Sequence, residues 1–219
     1  MGAALSGTRR RPAAEHRPER TADLGVLAVG LILAMCGAIA LIHTMLRAPH
    51  NPRRVVDVAL YATGLIAMFG FSLCYRAATE PRRRQLLRRL DHAAIFAMIA
   101  GSATPFALIG SDRRGAAVAA AVWAVAAVGI AVKFYFPLDS VRRSAALYVV
   151  LGWAVLFGIG PRFRGETAML ITAGGILYSA GLPFLLWWRL PYWQAIWHLF
   201  VLAGAACQYA AILGVVVSG

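Results

Sequence analysis

Residues 25–46 read GVLAVGLILAMCGAIALIHTML, an apolar run without a single Asp, Glu, Lys or Arg. At about 1.5 Å per residue, an α-helix of this length covers the roughly 30 Å hydrocarbon core of a bilayer. The run is longer than the roughly 7–15 apolar residues of a cleaved leader, so it reads as a retained span. Six further apolar segments follow, at 55–77, 91–109, 116–135, 145–160, 168–188 and 194–217. Membrane β-strands would be about 10 residues long with alternating polarity, which these segments are not. Pro52, Pro81, Pro137, Pro161 and Pro191 fall in or beside the short connections, where helices end. The expected fold is all-α, a seven-transmembrane helical bundle spanning residues 25–219. Residues 1–24 are expected to form a disordered basic cytoplasmic tail, too poor in apolar side chains to fold alone.

Composition points the same way. The chain has 219 residues, of which 60% are hydrophobic and only 14% charged, and its mean hydropathy is +0.68. A soluble domain carries about 45–50% apolar and about 25% charged residues. The net charge of +13 would suit a nucleic-acid binder, but the basic residues sit in short clusters between apolar runs. That is the pattern of membrane loops, and it argues against a nucleic-acid partner. Cys36, Cys74 and Cys207 lie inside apolar runs without CxxC spacing, so neither a disulfide framework nor a zinc knuckle is indicated.

Orientation follows from where Lys and Arg fall. With the N-terminus inside, fourteen lie in cytoplasmic segments and seven in outer ones, Arg76 at a helix end being left uncounted. Basic residues are retained on the cytoplasmic side, so the expected arrangement is N-terminus cytoplasmic and C-terminus outside, in a multi-pass protein of the bacterial plasma membrane. Arg82, Arg83, Arg84, Arg88 and Arg89 form the densest cluster, which reads first as a topology determinant and second as a binding surface for anionic lipid headgroups. Lys133 is counted among the cytoplasmic loop charges. Trp187, Trp188, Tyr192, Trp193 and Trp197 read as an interfacial aromatic belt, and Gly174, Gly175 and Gly181 as sites of close helix packing.

Ionisable residues inside a membrane are expensive, so each is a site candidate. Here they concentrate on segments two, three and seven: Ser72, Tyr75 and Arg76; Asp91 and His92; Gln194 and His198. Segment two ends inside, whereas three and seven begin inside, so all of these groups can share one depth. Gln194 and His198 are one helical turn apart on one face. Gln208, further along, could approach the same bundle interior at the far leaflet but is not expected to share that site.

These residues carry a resemblance. Ser72-Leu-Cys-Tyr-Arg76, Arg89-Leu-Asp91-His92-Ala-Ala-Ile95, Ile99 to Phe106 with its Thr-Pro-Phe, Gly174-Gly-Ile-Leu-Tyr178 and Ile196-Trp-His198-Leu-Phe-Val201 resemble the hemolysin III-like family, the bacterial branch of the progestin and adiponectin receptor group. The resemblance implies a zinc ion held by three histidines. One ends helix two in a Ser-x-x-x-His pattern, and two open helix seven in a His-x-x-x-His pattern. An Asp at the start of helix three stands beside the metal-bound water. In receptor members it implies metal-assisted hydrolysis of a lipid amide, and in bacterial members a pore or hemolysin label.

Carried over residue by residue, Ser72, Asp91 and His198 match. The helix-two histidine is Arg76, and the first histidine of helix seven is Gln194. The Glu-Asn…His signature of the family is absent from Ala22–Val29. Zinc typically takes three protein ligands and a water, which arginine cannot supply. The metal site is therefore expected to be degenerate, with zinc not expected as a cofactor, His198 its one remaining ligand candidate and Asp91 its one catalytic candidate. Arg76 could neutralise Asp91 across helices two and three, or could extend to the headgroups at its helix end. The expected function is non-catalytic, in sensing or membrane homeostasis. A zinc-dependent lipid amide hydrolase is the first alternative. A pore is the second, disfavoured because segments four and five are nearly devoid of the polar lining it needs.

Overall fold

The computed structural model describes residues 17–47, 52–108, 112–136, 141–159 and 162–218. Among them are seven helices and no strand: α1 (Arg17–Arg47), α2 (Pro52–Ala77), α3 (Pro81–Leu108), α4 (Arg113–Tyr135), α5 (Val141–Ile159), α6 (Gly165–Leu186) and α7 (Trp193–Ser218). Five of these, α1, α2, α4, α6 and α7, are long and apolar enough to cross a membrane. The apolar part of α5 is shorter, at Ser144–Ile159, and α3 carries the Arg82–Arg89 cluster in its first half.

The first helix corrects the sequence reading. It starts at Arg17, ahead of the expected 25, so residues 17–24 are helical rather than tail. Residues 1–16 lie outside the described residues. The buried positions of α1 are Asp23, Leu27, Gly30, Ala34, Ala38, Leu41 and Met45. They recur every three or four residues and form one stripe facing the bundle. Asp23 is thus the first position of a packing face that the apolar run continues.

α1 packs between α2 and α7, while α3 contacts α2, α4, α5 and α7 and is the most enclosed helix. From Ala93 to Ala107 most of its side chains are buried. Small residues let α3 approach its neighbours. A Cβ at Gly101 would meet the Leu60 carbonyl oxygen at 2.9 Å, and one at Gly115 the Ala107 carbonyl oxygen at 1.9 Å. Close backbone approach through small residues is how helices associate in an apolar solvent.

The surface is that of a protein in lipid. Ile39, Val128, Val150 and Phe157 are exposed, whereas Asp23, Lys133, Gln194 and His198 are buried. An apolar exterior around buried polar groups reverses the soluble arrangement.

Candidate functional site

One end of the bundle gathers the start of α1, the end of α2, the starts of α3 and α7, and the end of α4. Arg20 on α1 donates from Nη2 to the carbonyls of Arg76, at 3.0 Å, and Ala77, at 3.3 Å. It thereby satisfies two of the carbonyls that the end of α2 would leave without partners. One turn on, Asp23 Oδ1 lies 2.5 Å from His198 Nδ1. Asp23 Oδ2 forms an ion pair with Arg76 Nε at 3.4 Å without a hydrogen bond of its own. Asp23 is 1% exposed, so this carboxylate is shielded from water and held by groups from α2 and α7. A buried charge is tolerated only when paired in this way.

Arg76 therefore faces Asp23, and among the described residues it forms no ion pair with Asp91. Of the two readings left open for Arg76, pairing with Asp91 or extension to the headgroups, the structure shows neither: its guanidinium pairs with Asp23. Asp91 instead accepts a hydrogen bond from the Ser72 hydroxyl. Its neighbour His92 has a buried Nδ1 without a hydrogen-bond partner, and so does the Gln194 Oε1. The His92 carbonyl accepts from the Tyr148 hydroxyl at 2.9 Å. Lys133, read as a loop charge, is 3% exposed and donates to Ser144 Oγ at 2.7 Å.

The basic cluster divides. Arg82, Arg83 and Arg84 are exposed, with Arg84 over the Tyr75 ring at 5.6 Å. Arg89 turns inward, donating to the Phe134 carbonyl at 2.7 Å, and Arg88 lines a partly open cavity.

That cavity has a volume of about 800 Å³ and lies among α2, α3, α5, α6 and α7. Ser72, Arg76, Asp91, Gln194 and His198, the five expected site residues, all line it. Met68, Ile95, Met98, Val155, Leu156 and Ile171 supply apolar wall. Trp193 and Trp197, expected in the aromatic belt, line it too, whereas Trp187 stands exposed. The cavity extends along α7 to Gln208, which reaches the same interior but lies about 15 Å along the helix from His198. Cys74 is exposed.

Among the described residues, no three His, Cys, Asp or Glu side chains are placed to hold a metal ion together. What the sequence reading missed is Asp23. Its signal was present in register: stepping back one turn from Leu27 along the buried face of α1 arrives at it.

The sequence matches the family described as haemolysin-III related over residues 26–209. It is 38% identical to Hemolysin-3 of Bacillus cereus over 150 residues, covering 67% of this chain and 68% of the relative. It is 35% identical to the Hemolysin-3 homolog of Bacillus subtilis (strain 168) over 147 residues, covering 65% and 68% respectively.

Proposed function

The chain belongs to the haemolysin-III related family and is a multi-pass protein of the bacterial cell membrane, and from that premise we propose that it is a metal-free, non-catalytic member. Its partly open cavity takes an amphiphile, in a sensing or membrane-homeostasis role. In this reading all seven helices cross the bilayer, with the N-terminus cytoplasmic and the C-terminus outside. The exposed Arg82, Arg83 and Arg84 then stand at the level of anionic headgroups, where each adds about 1 kcal/mol of attraction.

The observation that carries the proposal is the Arg76–Asp23–His198 set at the polar end of the cavity. A zinc site needs about three protein ligands with lone pairs to give. Here a permanently charged guanidinium stands where a ligand would have to be, and Gln194 offers only a neutral amide. Asp91 is engaged by Ser72. His198 is bonded to Asp23, and among the described residues no third His, Cys, Asp or Glu stands with it and His92 to complete a ligand set, so the residues do not fit zinc. The Asp23 carboxylate is paired with Arg76 and bonded to His198, which joins α1, α2 and α7 as a latch.

The cavity's chemistry suits an amphiphile with an anionic head. Arg76 and Arg88 face it, with Asp91 the one acidic lining residue among the described residues, and apolar wall extends from that end. Hydrolysis of a lipid amide would need a metal-activated water, for which this end supplies no ligand set. A pore would need polar lining through the whole bilayer, whereas the exposed faces of α4 and α5 present Val125, Val128, Leu147 and Val150.

The test is binding and turnover on the same preparation. Detergent-purified protein is expected to bind a fluorescent fatty acid with an affinity unchanged by chelator, and to leave a ceramide-type amide intact. Chelator-sensitive amide turnover lost in His198→Ala would make the hydrolase the correct reading.

A further inference from the structure

Two arginines, Arg76 and Arg88, line the cavity, and they differ in their partners. The Arg76 guanidinium is paired with Asp23, so its charge is already met by protein. Arg88 is half-buried and, among the described residues, donates no hydrogen bond and forms no ion pair. Asp91, about one turn further along α3, is engaged by the Ser72 hydroxyl instead. A guanidinium carries five N–H donors and keeps its charge in a protein. Drawn partly out of water without an acceptor, it marks a place where an anion belongs.

The open end of the cavity is beside it. Leu186 and Trp188 line the cavity and are 37% and 56% exposed. They stand at the end of α6, on the side of the bundle where α3 begins. Tyr75 lines the cavity at the same end, with Arg76 over its ring at 5.2 Å and Arg84 at 5.6 Å. Arg84 is one turn before Arg88 on the same face of α3, so basic groups continue from the exposed surface into the mouth. Further in, the lining turns apolar and closed: Phe106, Val155, Ile159 and Ile171 are buried. Phe106 is 18 residues beyond Arg88, about 27 Å along the helix axis.

We infer that Arg88 is the headgroup anchor of the cavity. It binds an amphiphile that carries one negative charge over two equivalent oxygens, a carboxylate or a phosphodiester, which suits the guanidinium fork. The head lies at the mouth and the chain runs inward toward Phe106 and Ile159. The inference rests on the amphiphile reading above and adds to it the residue that holds the head and the direction in which the ligand lies. Arg76 does not take this role, because Asp23 holds it. Arg82 and Arg83 are exposed and stand outside the cavity lining.

The experiment displaces a fluorescent fatty acid from the detergent-purified full chain with competitors of one chain length. These are a fatty acid at a pH that ionises it, the corresponding fatty alcohol, and a lysolipid with a glycerol phosphodiester head. Affinity ratios between anionic and neutral competitors are compared between proteins in the same micelles, which cancels partitioning. Wild type is expected to favour an anionic competitor over the alcohol by about tenfold, the gain of a charge-assisted hydrogen bond. Arg88→Gln is expected to erase that preference, with alcohol affinity and unfolding midpoint unchanged, because no protein partner is lost. Arg88→Lys keeps the charge without the fork and is expected to restore part of the preference. Arg83→Gln is expected to leave it intact. Whichever anion gains more identifies the head. A wild type without anion preference, a preference that survives Arg88→Gln, or an equal loss in Arg83→Gln would each overturn the anchor while leaving the amphiphile reading standing. If neither the probe nor any competitor binds wild type, both fail.

Discussion

Asp23 and His198, on the first and last helices, meet through an Oδ1–Nδ1 contact of 2.5 Å across 175 residues of sequence. Arg76 Nε adds the second helix at 3.4 Å from the same carboxylate. The contact that joins the first, second and last helices is thus polar and buried, with the Arg76 guanidinium as its fixed charge. In apolar surroundings such a contact sets which helices meet, because each wrong partner would leave a charge uncompensated.

The latch predicts a specific coupling. Arg76→Met leaves Asp23 buried with His198 alone and is expected to destabilise the protein by about 3–5 kcal/mol. Asp23→Asn in the same chain is expected to recover much of that loss, whereas Asp91→Asn is not. Thermal unfolding in detergent of the two double-mutant cycles measures this. Equal recovery by Asp91→Asn would show that the pairing is with α3.

Packing of α3 against α4 gives a second prediction. Gly115→Ala would place its Cβ 1.9 Å from a backbone oxygen that cannot rotate away, so it is expected to cost about 1–3 kcal/mol or more. Gly152→Ala, with nothing within 4 Å of its Cβ, is expected to be neutral or mildly stabilising through helix propensity. Unfolding midpoints of the two variants check the contrast.

The opposite end of the bundle has a pH signature. Asp112 caps α4 by accepting from the Gly115 amide at 2.8 Å. The Arg162 guanidinium bonded to it, then the Gly115 amide, hold its carboxyl below the usual carboxylate range. A folded pKa lower than the unfolded one contributes stability above the unfolded value and loses it as pH falls through the folded value. Wild type is therefore expected to lose stability on acidification through that window more steeply than Asp112→Asn. Parallel acid titrations of the two proteins would show the same slope if the contact were inconsequential.

Ser72→Ala should act at the carboxylate of Asp91. The hydroxyl is the hydrogen-bond donor to Asp91 across α2 and α3, and its loss is expected to cost about 1–3 kcal/mol. Ser72→Thr, which keeps the donor, is expected to recover part of it. Both are read by thermal unfolding.

Seven helical segments were legible as apolar runs between short polar connections, but α1 and α3 begin ahead of their runs, at Arg17 and Pro81, because polar first turns read as tail or loop. The site was legible in membership and opaque in pairing. Ser72, Arg76, Asp91, Gln194 and His198 do line one cavity, because a helix that ends and two that begin on the same side place their ends at one depth. Which carboxylate Arg76 would meet depended on α1, whose start was hidden by the polar character of residues 17–24. Asp23 sits on a buried stripe that only the rotation of the helix reveals. Lys133 was misplaced for a related reason: charge at a helix end reads as loop, yet its side chain turns to Ser144. Gln208 was placed by angle and rise near the same interior but away from His198, and it lines the cavity about 15 Å along α7 from it.

The most direct measurement is the metal content of the detergent-purified protein by elemental mass spectrometry, beside an Arg76→His/Gln194→His double mutant. The account predicts wild type without zinc and a double mutant that takes up one ion per chain, because the substitutions return two imidazoles to the place beside His198. Stoichiometric zinc in the wild type would contradict it, for the Arg76–Asp23–His198 latch could not then be what replaces the metal.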